Sequence, residues 1–161
     1  MSEKKFQIRN VHLKESNFKF QGEEIFYTDR ERFNTLKYQI NLKEIEYNKI
    51  SDNQYLSNLG VVVRGIVPKK DAKNENEIET MFEVGCLYSC LSDIEGFSEE
   101  EIFKIQHINL SQILYPYVRS EVNRIMSDTV IPKIQLQLID FATVYFNKFE
   151  KNKVEQKEST E

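Results

Sequence analysis

The sequence predicts an α+β domain, a four-stranded antiparallel sheet followed by two main helices packed on one of its sides. Two observations predict it. Four stretches between Phe6 and Leu91 carry strand patterning, by alternating apolar residues or by β-branched content, and from Leu114 onward apolar residues recur every four positions. Strands grouped ahead of helices belong to antiparallel sheets, whereas parallel sheets need the two to alternate. With 161 residues, 40% of them hydrophobic and 30% charged, the chain carries apolar material for one core, and residues 1–151 are assigned to one domain.

The first strand runs from Phe6 to Phe20. Its apolar pairs Phe6/Ile8, Val11/Leu13 and Phe18/Phe20 change phase twice, which predicts a long strand bent by bulges. Gln21 to Asn34, with Gly22 and the charged cluster Asp29-Arg30-Glu31-Arg32, reads as a surface loop. Leu36, Tyr38, Ile40 and Leu42 then alternate with Lys37, Gln39, Asn41 and Lys43, the pattern of a strand with one wet face; Ile45 and Tyr47 resume in the opposite phase. After the turn Ser51-Asp52-Asn53, the third strand spans Tyr55 to Val67, with Val61-Val62-Val63 at its centre and Pro68 closing it. Lys69 to Glu77 is an exposed hairpin loop before the fourth strand, Ile78 to Leu91.

Ser98 and Glu101 form a capping-box pattern that starts a helical turn after Gly96. Leu114, Val118, Val122 and Met126 mark one long amphipathic helix, and Pro116 falls near its start: in the first turn its missing N–H costs little, and deeper in it would kink the helix. Val130 to Leu138 is an apolar connector containing Pro132. Asp140 caps a last helix through about Lys151, whose Phe141, Ala142, Tyr145, Phe146 and Phe149 fill a sector of roughly 140°, wider than an ordinary packing stripe. Residues 152–161 are polar and read as a disordered tail.

The same sequence excludes several kinds of function. A net charge of −4 gives no clustered Lys and Arg surface for nucleic acid. No apolar run is long enough to insert in a membrane, and the start lacks the apolar core of a signal peptide, so a cytoplasmic location is expected. Cys86 and Cys90, if on a strand, stand on the order of 13 Å apart at about 3.3 Å per residue. That is beyond disulfide reach, and buried free thiols are expected. His12 and His107 lie in no metal-ligand pattern, and there is no nucleophile elbow or glycine-rich phosphate loop. Glu99-Glu100-Glu101 sits in the first turn of a helix, where acids complement the dipole. No catalytic residue, metal or cofactor is therefore assigned. What is left over is apolar: the connector Val130-Ile131-Pro132-Lys133-Ile134 and the aromatic last helix, which would border a groove beside the sheet and suit a binder of many sequences.

The string Ile113-Leu114-Tyr115-Pro116-Tyr117-Val118-Arg119 resembles the I-L-[FY]-P-Y-x-R segment that opens the long helix of the SecB family of export chaperones. The likeness continues through Glu121, Ile125, Ile131-Pro132, Ile134-x-Leu136, Phe141 and Tyr145, with Phe82-Glu83-Val84 and Ile94-Glu95-Gly96 resembling the fourth strand and its turn. The resemblance implies ATP-independent holding of unfolded or precursor polypeptides, with Tyr38, Ile131, Ile134, Phe141, Tyr145, Phe146 and Phe149 as candidate lining residues. It also implies a homotetramer built as a dimer of dimers, with Tyr117, Val118, Val122 and Ile125 at the interface. A contact with the motor SecA would fall at Glu15, Met81 and Glu83, but Lys19 stands where the family has an acid. That departure, the sparser glycines near Ser89 and Cys90, and the missing proline around Leu138 suit a divergent member dedicated to a partner such as an antitoxin.

Overall fold

The computed structural model describes residues 3–151. Five antiparallel strands, β1 (Lys5–Phe20), β2 (Lys37–Leu42), β3 (Glu46–Lys49), β4 (Gln54–Pro68) and β5 (Ile78–Glu95), form one sheet in the order β1-β5-β4-β2. β3 pairs with the other end of β4. The single strand expected from Leu36 to Tyr47 is thus two, and the phase change between them is its cause. Lys43 to Ile45 leave the strand conformation, and Ile45 turns into the core. The two phase changes of β1 are register shifts against β5, one between Ile8 and Asn10 and one between Leu13 and Glu15.

The segment read as a loop, Gln21 to Asn34, instead carries two short helices, α1 (Glu23–Thr28) and α2 (Arg30–Phe33). Glu23, Glu24, Arg30 and Glu31 face solvent while Ile25 and Phe33 are buried, and the Asp29 carboxylate accepts the Arg32 N–H at 3.2 Å. Short elements with one inward residue each leave little periodicity to read. Gly22, at the entrance to α1, packs against Met81 so closely that a Cβ there would collide with the thioether.

After β5, Gly96 turns the chain with φ of 77°, a backbone conformation that favours glycine. The expected capping box is present. Ser98 Oγ accepts the Glu101 N–H at 3.3 Å, and Glu101 Oε2 accepts the Ser98 N–H at 3.0 Å. The helix α3 (Glu99–Lys104) does not stop there; it runs through a π-helical stretch, Ile105–Leu110, into α4 (Ser111–Ser127). Pro116 therefore lies well inside a continuous helix rather than near its start, and the Gln112 carbonyl loses its usual helical donor. The last helix, α5 (Phe141–Tyr145) with its π-helical continuation Phe146–Glu150, is capped as expected by Asp140, which accepts from the Ala142 and Thr143 N–H groups.

Alternation divides the sheet into two faces. Leu59, Val61 and Val63 of β4 and Val84 and Cys86 of β5 meet Leu114, Val118, Val122 and Met126 of α4 in the core. Val118 and Val122 are fully buried within the subunit and Ile125 nearly so, which corrects their assignment to an interface between subunits. A sheet this wide needs the whole apolar stripe of α4 to cover it, and of that set only Tyr117 is left exposed. Met81 is likewise sealed, beneath Gly22 at a register shift between β4 and β5, so it offers no surface for a contact, whereas Glu15 and Glu83 lie on the outer face. Cys86 and Cys90 are free and buried; burial pushes the Cys86 thiol up to about 12 and the Cys90 thiol up to about 11. The 152–161 tail lies outside the described residues.

Candidate functional site

On the helix side of the sheet, β2 ends the strand order, and the connector and last helix lie above it. Tyr38 of β2 anchors the connector: its hydroxyl donates to the Pro132 carbonyl at 2.6 Å, and its ring meets Phe82 at 6.0 Å. From the other side, Arg119 Nε donates to the Leu136 carbonyl at 2.9 Å and the Tyr115 hydroxyl to the Gln137 carbonyl at 2.7 Å. A connector without regular structure has backbone groups that must find partners elsewhere, and these three side chains supply them. Burial pushes both phenols up, so they remain donors across the neutral range.

The last helix is held by aromatic packing. Phe141 meets Tyr115 edge-on at 5.6 Å, while Tyr145 and Phe149 close on Phe103 and His107 with ring centres 5.1 to 6.3 Å apart. An ionic clasp joins the same elements. Glu44, in the break between β2 and β3, accepts from His107 Nε2 at 2.9 Å and pairs with Lys148. The Lys148 ammonium first, and His107 with it, holds the Glu44 carboxyl below the usual glutamate range. His107 Nδ1 sits 2.9 Å from the Phe103 carbonyl oxygen, so the ring is held in place at both nitrogens. Beneath the clasp lies a cavity of about 150 Å³, lined by Leu42, Ile45, Leu59, Phe141, Tyr145 and Phe149 among others.

Of the expected lining residues, the structure brings Phe141, Tyr145 and Phe149 together around this cavity and places Tyr38 at the far end of β2. Ile131, Phe141 and Tyr145 are buried as anchors of the connector and helix; Tyr38, Ile134 and Phe149 are partly open, and Phe146 is 46% exposed. Sequence reasoning missed Ile40, 49% exposed on β2 between Tyr38 and Leu42, as well as Val144 and the 82% exposed Leu138. Ile40 was readable as a member of the Leu36–Leu42 alternation; that its strand lies at an edge was not. Tyr38, Ile40 and Leu42 thus share one face of β2, with the connector tied over Tyr38 and the cavity under the last helix starting at Leu42; this half-open apolar strip is the trough. Among the described residues no group of three or more His, Cys, Asp or Glu could hold a metal ion, and no helix is long and apolar enough to cross a membrane.

An antiparallel sheet crossed by one long helix, with a tethered connector and a short last helix beside its edge, defines an α+β scaffold with a trough. Residues 1–152 match the family model described as preprotein translocase subunit SecB, and the chain belongs to that family. It is 31% identical over 77 residues to the protein-export protein SecB of Caulobacter vibrioides, a stretch covering 48% of this chain and 47% of that protein. The chain thus spans about half the length of that relative. With the protein-export protein SecB of Bartonella bacilliformis it shares 23% identity, over 87% of this chain and 80% of that one. The fold is that of a SecB-like chaperone from Mycobacterium tuberculosis solved with a peptide from an antitoxin. The TM-score is 0.61 at 14% identity, covering 83% of this chain and 90% of that one.

Proposed function

We propose that this protein is a nucleotide-independent holding chaperone that takes extended or unfolded polypeptides into the trough along β2. The observation that carries the reading is the half-open row Tyr38, Ile40 and Leu42, which meets the connector at Pro132 and shares a cavity with Tyr145 and Phe149 at its other end. Apolar side chains with few fixed polar partners accept many sequences, as a client-holding surface must. Family membership and the names of the relatives point the same way. The role is non-enzymatic and cytoplasmic, and the chain works as a homotetramer. The exposed β1 edge, with Leu13, Phe18 and the nearby Tyr117, supports that self-association.

A second reading, a chaperone dedicated to one partner such as an antitoxin and uncoupled from SecA, is favoured by the outer sheet face. Glu83 there is bonded to Arg64 at 2.7 Å and pairs in register with Lys19, so little free acidic surface surrounds Glu15. The fold neighbour captured with an antitoxin peptide supports the same reading. The test is light scattering of an aggregating unfolded protein without nucleotide, beside native mass. Suppression near one chain per client and a mass near four times 19.1 kDa are expected. A monomer without effect on aggregation overturns the proposal, and recovery of one small partner in pull-downs selects the dedicated form.

A further inference from the structure

We infer that the free edge of β2 receives its client as an added strand, and that the segment it prefers alternates apolar with acidic residues. This rests on the reading of the trough as a polypeptide site. In an antiparallel ladder, alternate residues turn both backbone groups toward the partner strand. Lys43 N–H donates to the Gly60 carbonyl at 2.9 Å, and the register continues through Asn41↔Val62, Gln39↔Arg64 and Lys37↔Ile66. The odd-numbered residues of β2 therefore bond β4, and Tyr38, Ile40 and Leu42 direct their N–H and C=O groups away from the sheet. No described strand pairs with them there. The same three residues put their side chains on the trough side, so one row of the chain offers both backbone bonds and apolar contacts. That pairing of features is the physical basis of recognition by strand addition.

Charge selects the occupant. An added strand sets every second side chain beside Tyr38, Ile40 and Leu42, and the others on the wet face beside Lys37, Gln39, Asn41 and Lys43. Lys37 and Lys43 are exposed and make no ion pair among the described residues, nor does Lys133 on the connector above. The neighbouring acid, Glu44, is held by His107 and Lys148. Acidic residues on the guest's wet face therefore find free cations. A second copy of β2 does not: antiparallel self-pairing about Ile40 would set Lys37 opposite Lys43 twice, and like charges directly opposite oppose pairing.

The experiment uses the full chain and two fluorescein-labelled peptides of equal length, alternating Val with Glu or Val with Lys, read by anisotropy beside a reduced and alkylated unfolded protein. The Glu peptide is expected to bind about tenfold tighter than the Lys peptide, the effect of two cross-strand ion pairs. The double variant Lys37→Glu/Lys43→Glu, at exposed positions, should reverse that order. Ile40→Pro removes an outward N–H without touching the β4 ladder, and should weaken the Glu peptide at least tenfold while the thermal unfolding temperature holds. Equal binding of both peptides, or no reversal in the double variant, overturns the inference while retained binding of the unfolded protein leaves the chaperone reading standing. Binding of neither peptides nor unfolded protein sinks both. Loss of self-association in Ile40→Pro with unchanged peptide binding assigns the edge to a second copy and also overturns it.

Discussion

The two margins of the sheet are built in opposite ways. β1 is sixteen residues long, is bent by two register shifts and carries Arg9 and Lys14 at those shifts, which are devices that discourage chance pairing along a long edge. β2 is six residues long and keeps one unbroken register with β4. A lysine stands at each of its ends, Lys37 and Lys43. The long margin is made irregular and is tied to α4 where Ser16 donates to Glu121 at 2.7 Å. The short margin is flat and has an apolar trough at its side. The two margins therefore differ in kind: an added strand would meet an unbroken row of backbone groups along β2, and an interrupted one along β1.

Phe82 joins the two margins and is the place to break both at once. Its fully buried ring lies 6.3 Å from Phe18 of β1 and 6.0 Å from Tyr38 of β2, and it occupies the space left by Gly65. Phe82→Ala should cost about 3–5 kcal/mol in urea unfolding, as truncation of a buried aromatic does. A loss under about 1.5 kcal/mol, the range of a volume-conserving swap, would mean the margins are not coupled through this ring.

Glu121 tests β1 alone. Its buried carboxylate accepts from Ser16 and from Arg124 at 2.7 and 2.9 Å, and the Arg124 guanidinium holds its carboxyl below the usual glutamate range. Removing it with Glu121→Ala should cost about 2 kcal/mol, the worth of hydrogen bonds to a charged group. Hydrogen exchange should quicken at residues 15–20 and stay unchanged along β2. Because the folded value is depressed, this stabilisation is complete above pH 4.5, the ordinary glutamate value, and is lost as pH falls through the lowered one.

The smallest effect belongs to the Glu44 clasp beside β2. Its carboxyl is also held low, so its contribution is present above pH 4.5 and disappears as acid protonates it at the lower folded value. Since Glu44 and Lys148 are both substantially exposed, Glu44→Gln should cost only about 0.5 kcal/mol. It should nevertheless quicken exchange in α5 at neutral pH and flatten its dependence on acid. Unchanged α5 exchange would show that ring packing alone seats the last helix.

The parts of the molecule legible from sequence were those with long periodic runs. The alternation of Leu36 to Leu42 and the four-residue stripe from Leu114 to Met126 each follow from one buried face, and the β-branched run Val61-Val62-Val63 marked β4. Ser98 with Glu101, and Asp140, were legible because a cap is local. What stayed hidden depends on distance along the chain. Whether Val118 covers its own sheet or another subunit's cannot be read from an apolar stripe, which looks the same in either case. Glu44, His107 and Lys148 meet only through the fold, and Met81 carries no sign of being roofed by Gly22. Ile40 reads as an ordinary strand residue until the strand order places β2 at the margin.

The two thiols carry a last consequence. With Cys86 at about 12 and Cys90 at about 11, almost no thiolate exists at physiological pH while the sheet is intact, and thiolate is the form that reacts. Alkylation of these sulfurs therefore requires the β5 region to open. The native chain thereby carries its own chemical clock: the rate at which it takes up such a reagent reports how often the subunit opens, with no label added and no residue changed.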